Sequence, residues 1–194
     1  MPRLILASTS PRRRELLGLL GLPFEVIGSD YDESLILPDG MAPADYVTKL
    51  ARGKASEVAG RLDADALVIG ADTTVVLEGQ FLNKPVGPDD AASMLRRLSG
   101  RTHKVYTGLC LIHGQSLRTD YAATEVTFAT LSDAVIASYV ATGEPLDKAG
   151  AYGIQGKALS FIPSIHGDYF NVVGLPLYLL SQMLGQFGIT LWRN

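Results

Sequence analysis

A short apolar run, Leu4-Ile5-Leu6-Ala7, passes directly into Ser8-Thr9-Ser10-Pro11-Arg12-Arg13-Arg14, and this junction constrains the chain more than any other segment. The apolar run reads as a strand, and Leu16, Leu17 and Leu20 supply the apolar face of a helix that follows at once. Ser10 suits the N-cap and Pro11 the first helical position, where a missing N–H costs nothing because that donor has no intrahelical partner. Free backbone N–H groups, the positive end of the helix dipole, two serine hydroxyls and three guanidinium groups therefore converge on the space before the turn. Three cations in a first turn oppose the dipole, so the arrangement needs an anion or nearby carboxylates to compensate it. On helical spacing Arg13 falls on the inward side with Leu16 and Leu17. Arg12 lies at the edge beside the turn, and Arg14 shares its face with Gly18 and Gly21 and points to water. Arg12 and Arg13 are read as ligand-facing and Arg14 as surface, with phosphate the natural ligand.

Beyond the junction, periodicity and turn signals predict an alternation of strands and helices. A strand is expected over residues 3 to 8, a helix from Pro11 to about Leu20 and a short strand from Phe24 to Ile27. After the acidic loop Asp30, Asp32, Glu33, a long helix runs from Ala42 to Leu62, with Tyr46, Val47, Leu50, Ala51, Lys54, Ala55, Val58 and Leu62 on one side. Leu67 to Leu77 is β-rich and reverses at Glu78-Gly79, and a helix from about Pro88 to Leu98 ends at Gly100. Long strands near 103 to 113 and 117 to 130 are joined by a turn at Gly114. A helix near Ser132 to Thr142, a glycine-rich segment over 147 to 156, short strands near 158 to 171 and a last helix from about Leu175 to Phe187 complete the order. Such mixed order predicts a twisted, mixed α/β sheet flanked by helices.

Two kinds of residue sit where simple patterning would not put them. Asp72 is the one ionisable residue in Leu67-Val68-Ile69-Gly70-Ala71-Asp72-Thr73-Thr74-Val75-Val76-Leu77. A carboxylate there must be protonated, paired or metal-bound to offset desolvation; it marks either a catalytic position or a structural Asp in a bulge at Gly70. Glu33 alone reads as an ordinary loop acid. Lys54 interrupts an apolar helical stripe and Lys84 lies between Asn83 and Pro85, so each is either a snorkelling or surface cation or part of a phosphate clamp. Asp147-Lys148-Ala149-Gly150-Ala151-Tyr152-Gly153-Ile154-Gln155-Gly156 spaces three glycines at intervals of three, which is neither a Walker loop nor a dinucleotide fingerprint. Glycine there either permits turns or lets backbone approach a planar base whose edge Gln155 reads.

Composition narrows the class. With 194 residues, 47% of them hydrophobic, the chain suits one large domain, or a domain with a small lobe. No apolar run is long enough to span a bilayer and the start lacks a signal-peptide pattern, so a soluble cytoplasmic protein is expected. The single cysteine, Cys110, sits among apolar neighbours and reads as an inert core thiol; His103, His113 and His166 have no zinc-ligand spacing. A net charge of −3 argues against extended nucleic-acid or membrane binding, and the local cations suit a small anion instead.

The set Ser8-x-Ser10-Pro11-Arg12-Arg13, Glu33, Lys54, Gly70-Ala71-Asp72-Thr73, Lys84-Pro85, Ser99-Gly100-x-x-His103, Lys148-Ala149-Gly150-x-Tyr152-x-Ile154-Gln155-Gly156 and Val173-x-Leu175-Pro176 closely resembles the Maf family of nucleotide pyrophosphatases. The likeness spans nearly the whole chain as one domain, residues 1 to 194. It implies a mixed α/β fold related to the inosine triphosphate pyrophosphatases, with two lobes and a central cleft. It also implies cleavage between the α- and β-phosphates with Mg²⁺ or Mn²⁺ as cofactor. By resemblance Ser8, Ser10, Arg12, Arg13, Lys54, Thr73, Lys84 and Gln155 bind substrate, Glu33 and Asp72 hold metal, and Asp72 is the catalytic proton acceptor. Arg12, Thr73 and Gln155 resemble the combination in members acting on dTTP and UTP, where the branch acting on 7-methylguanosine triphosphate has Trp, Gln and Glu. The expected role is removal of non-standard or surplus pyrimidine triphosphates. The alternatives are a broader pyrophosphatase acting on modified nucleotides and a nucleotide-binding regulator of cell division. A homodimer is expected from the family, with no nucleic-acid or membrane partner.

Overall fold

A computed structural model describes residues 2–191. Its strands are β1 (Arg3–Ala7), β2 (Glu25–Val26), β3 (Ala66–Leu77), β4 (Gln80–Leu82), β5 (Thr102–His113), β6 (Ser116–Thr127) and β7 (Ser164–His166). Its α-helices are α1 (Pro11–Gly18), α2 (Pro43–Ala59), α3 (Pro88–Leu98), α4 (Asp133–Val140), α5 (Tyr169–Val173) and α6 (Leu177–Gln186). One mixed seven-stranded sheet runs in the order β2-β1-β3-β5-β6-β7, with β4 pairing β3 to the side. β1 is parallel to both β2 and β3, whereas the β3–β4 and β6–β7 pairs are antiparallel. The expected mixed α/β class is thus observed. Over 158 to 171 the expectation of short strands is corrected: Lys157–Phe161 is a 3₁₀ segment, only Ser164–His166 is a strand, and α5 follows. Ala158 and Phe161 are buried there while Leu159 and Ser160 are exposed, a spacing of three that suits a 3₁₀ turn rather than the alternation of a strand, and the backbone closes short i→i+3 bonds, as in Leu159 N–H to the Gly156 carbonyl.

The chain divides into two compact units, the first comprising residues 1–72, 107–122 and 174–194, the second 73–106 and 123–173. In the first, α2 turns Tyr46, Val47, Leu50, Ala51, Ala55 and Val58 inward, and Ala51, Ala55 and Val58 pack on Ile5, Ala7, Ala66, Val68 and Cys110. Burial pushes the Cys110 thiol up to about 12, in keeping with an inert core thiol. Glycine sets how closely α2 can lie. A Cβ on Gly70 of β3 would strike the Ala51 carbonyl oxygen, and one on Gly108 of β5 would lie 2.6 Å from the Thr48 nitrogen. In the second unit Val75, Leu77, Leu82, Leu95, Leu98, Phe128, Ile136, Tyr139, Tyr152 and Phe161 form one core, with Phe128 edge-on to Tyr152 at 4.8 Å between centroids.

Candidate active site

The strand-to-helix junction forms as its residues dictate. Ser10 caps α1, its Oγ accepting the Arg13 N–H at 3.5 Å with Pro11 at the first helical position, and Ser8 Oγ accepts the Ser10 N–H at 3.2 Å. Both hydroxyls therefore fix the turn itself. Arg13 is half-buried and held in place: its Nε–H donates to the Gly174 carbonyl at 2.9 Å, and one terminal nitrogen lies 3.5 Å from Ser8 Oγ. Burial pulls this guanidinium down while Asp72 pulls it up, and an arginine keeps its charge under such opposition. Arg12 is half-buried and Arg14 exposed, as helical spacing implied.

Asp72, 7% exposed, receives the Lys54 ammonium at 2.6 Å, and the same Nζ lies 2.9 Å from Glu33 Oε1. Lys54 does not snorkel; its side chain is only 12% exposed and it binds two acids at once. On its β1 side β3 is regular up to Gly70, the pairing running from Arg3 with Ala66 to Ala7 with Gly70. Gly70 serves to bring α2 close, so that Lys54, one turn beyond Ala51, meets Asp72, two residues beyond Gly70 on the same strand face. Glu33 is delivered by a second close approach. A Cβ on Gly53 would collide with the Tyr31 ring, so Tyr31 lies flat against α2. Asp32 then caps the 3₁₀ turn Glu33–Leu35, its Oδ1 accepting from the Ser34 N–H at 3.0 Å. Burial pushes the Asp72 carboxyl up and Glu33 adds to this, while Lys54 and Arg13 draw it back. A desolvated acid among two cations and a second acid can hold a proton or a cation.

Ser8, Ser10, Arg13, Glu33, Lys54 and Asp72 are thus brought together in the first unit. Arg12 belongs to the first unit too, in the first turn of α1, whereas the other three substrate-binding candidates, Thr73, Lys84 and Gln155, lie in the second. Thr73 is half-buried, whereas Lys84 and Gln155 are exposed. Thr74 Oγ1 bonds Asn83 Oδ1 at 2.7 Å and the Gly150 N–H donates to the Asn83 carbonyl at 3.3 Å, so Asn83 links the strand carrying Thr73 to the glycine-rich segment. Gly150 adopts φ +69° and packs on Val75, where a Cβ would lie 2.9 Å from Cγ2. Gln155 lines an open depression of about 710 Å³ with Ile154, Leu159, Ile162, Pro163, Ser164, Ile165 and Tyr169. Asn83, Gly174, Tyr31, Tyr139 and Glu144 were not selected from sequence. Only Glu144, an acid between Gly143 and Pro145, carried a local signal.

Among the described residues no three His, Cys, Asp or Glu side chains are grouped as a metal cage. Two carboxylates meeting at one point nevertheless fit Mg²⁺ or Mn²⁺, which commonly take one or two carboxylates and complete their shell with water and substrate phosphates.

Residues 3–187 match the model of the family described as Maf-like protein. The chain is 54% identical to the dTTP/UTP pyrophosphatase of Moorella thermoacetica, over 99% of this chain and 98% of that one. It is 51% identical to that of Symbiobacterium thermophilum over 100% and 98%, and 49% identical to that of Bacillus cereus strain B4264 over 97% of each. Among solved structures, the Staphylococcus aureus Ham1 protein superposes with a TM-score of 0.54 at 13% identity, covering 95% of this chain and 99% of that one, a likeness of fold. With a family match along almost its whole length and relatives identical at about half of all positions, the chain belongs to the Maf-like protein family.

Proposed function

We infer that this protein hydrolyses dTTP and UTP to the nucleoside monophosphate and pyrophosphate. The observation that carries the chemistry is Lys54 binding Asp72 and Glu33 at once, beside a capped helix start that bears Arg13. The observation that carries the substrate is the name shared by relatives matched end to end.

Each residue has a task within this reading. The α1 start, Arg12, Arg13, Lys54 and Lys84 neutralise and orient the triphosphate chain, which is the larger part of the work when phosphoryl oxygens carry the charge. Asp72 accepts a proton from the attacking water, and its burial raises the carboxyl toward the range in which a general base works best. Glu33 and Asp72 would hold the divalent cation, which when bound polarises the phosphate oxygens and neutralises developing charge. Thr73 adds a hydroxyl beside Asp72, and Gln155 reads the pyrimidine edge with one donor and one acceptor. The same reading places the enzyme in the cytoplasm, where its substrates are made; no described helix is long and apolar enough to cross a membrane.

Purified protein with Mg²⁺ or Mn²⁺ should release pyrophosphate and monophosphate from dTTP and UTP, and EDTA should stop it. Release of orthophosphate and the diphosphate would place the cut at the other anhydride and overturn the assignment.

A further inference from the structure

Gln155 stands on a loop with little secondary structure of its own, yet its backbone is held from one side by two residues distant in sequence. Tyr139, on α4, donates its phenol O–H to Glu144 Oε1 at 3.0 Å and accepts the Gly153 N–H at 3.3 Å. Glu144 in turn accepts the Lys157 N–H with both oxygens, each at 3.1 Å. The two amides so held lie two residues before and two after Gln155. Between them, Gly156 presses on the Glu144 carboxylate so closely that a Cβ would run into it, and a Cβ on Gly153 would lie 2.7 Å from Lys148 Cε. Lys148 is itself fixed, its ammonium donating to the Glu144 carbonyl and to Asp147 Oδ1, each at 2.6 Å. The two glycines are therefore contact positions for the clamp.

We propose that Tyr139 and Glu144 are positioning residues that hold the Gly153–Lys157 loop in the conformation from which Gln155 selects the base. The proposal rests on Gln155 reading the pyrimidine edge. Tyr139 is buried with its ring edge-on to Phe161 at 5.2 Å, so the core fixes where its hydroxyl stands. Burial and the neighbouring acid both push the phenol up, which keeps it a donor to Glu144 while it accepts from Gly153. Glu144 follows α4 by only a few residues and Thr142 Oγ1 accepts its N–H at 3.2 Å, so its backbone is tied to the same helix end. An amide side chain that must match donor to acceptor discriminates only if its backbone is fixed within a fraction of an ångström. Here that fixing comes from one phenol and one carboxylate.

The test uses Tyr139→Phe, Glu144→Gln and Gln155→Ala in the intact protein, with two readouts: amide hydrogen exchange at Gly153 and Lys157, and kcat/KM for UTP, dTTP, CTP and GTP. Tyr139→Phe keeps the ring and its packing; Glu144→Gln keeps size but turns one acceptor into a donor facing another donor. Each should speed exchange at its own amide about tenfold and lower the UTP-to-GTP preference about 5- to 20-fold, chiefly through KM with kcat within about twofold, as expected where a uniform binding contact is loosened. Unchanged exchange at both amides would overturn the positioning role. So would intact base preference in the Tyr139 and Glu144 variants when Gln155→Ala abolishes it, or an equal loss on all four nucleotides accompanied by a fall in kcat. If Gln155→Ala leaves base preference unchanged while the other two variants free the amides and lower the preference, the reading of Gln155 falls and the hold on the loop stands.

Discussion

At Asp72 two demands compete, since a buried carboxylate is costly and an ion pair with Lys54 offsets only part of that cost. The sequence makes the cost visible, as one acid in an eleven-residue apolar and hydroxyl-bearing run. It does not show the offset, because Lys54 is 18 residues away and its approach depends on Gly70 having no Cβ. Asp72→Asn keeps the shape and one acceptor but loses basicity and a charge. Turnover of dTTP should fall about 10²- to 10⁴-fold, the usual worth of general-base assistance, with nucleotide affinity reduced far less. Near-normal turnover would move the base to Glu33. Gln155→Glu tests a different property. The amide donates to one uracil carbonyl and accepts from N3–H, whereas an ionised carboxylate only accepts and would face carbonyl oxygens. kcat/KM for dTTP and UTP should fall about 10- to 100-fold, and less for guanine nucleotides, whose adjacent N1–H and N2–H suit a carboxylate. An equal loss on every triphosphate would remove Gln155 from base recognition.

Elements were legible where a period or a cap marks them and not where a close contact decides. The strand-to-helix junction at Ser8 to Leu17, the inward stripe of α2 and the limits of α3 follow from spacing alone. The 3₁₀ segments over 144 to 161 do not, since they are stabilised by partners remote in sequence, such as Asn83 for Gly150 and Glu144 for Lys157. The Ser99-Gly100-x-x-His103 motif shows a further limit. Ser99 Oγ accepts the Leu131 N–H at 2.7 Å, Gly100 takes φ +68° and His103 is buried, so these residues hold the second unit together. Glycines can be sorted in the same way. Gly70→Ala forces a methyl against the Ala51 carbonyl and the Ala55 nitrogen, and should cost about 1 to 3 kcal/mol in urea denaturation. It should also lower turnover, because the displaced helix is the one that carries Lys54. Gly18→Ala meets nothing within 4 Å and should instead stabilise by about 0.4 to 1 kcal/mol. Equal effects at the two sites would show that the missing Cβ of Gly70 does not set how closely α2 lies on β3.

For the molecule as a whole, the order of strands and helices pointed to the mixed α/β class, but neither it nor composition could reveal that the described core includes one cluster where α2 packs on β1 and β3 and another around Phe128. Nor could either show where stability is sensitive to pH. His103 is 2% exposed, its Nε2 bonded to the Tyr152 hydroxyl at 2.8 Å and its ring edge-on to Phe128 at 5.2 Å, while Nδ1 has no hydrogen-bond partner among the described residues. Burial alone lowers its pKa from 6.5 to about 4. The folded protein therefore binds the proton less readily than the unfolded chain does. The stability that His103 contributes in its neutral form is complete above pH 6.5, declines as the pH falls from there toward 4, and is fully lost below. A separation of about 2.5 pKa units corresponds to about 3 kcal/mol across that window. His103→Gln, which cannot take up a proton, should be less stable than the parent at pH 8, having lost the ring contacts. The gap between the two should narrow steadily between pH 6.5 and 4 as the parent gives up its advantage. Urea midpoints measured at half-unit steps from pH 8 to pH 4 read this difference directly, and the carboxylates common to both proteins cancel. Parallel curves across that range would mean that His103 is charged or solvated in the native protein, and that the Phe128 cluster does not exclude water from it.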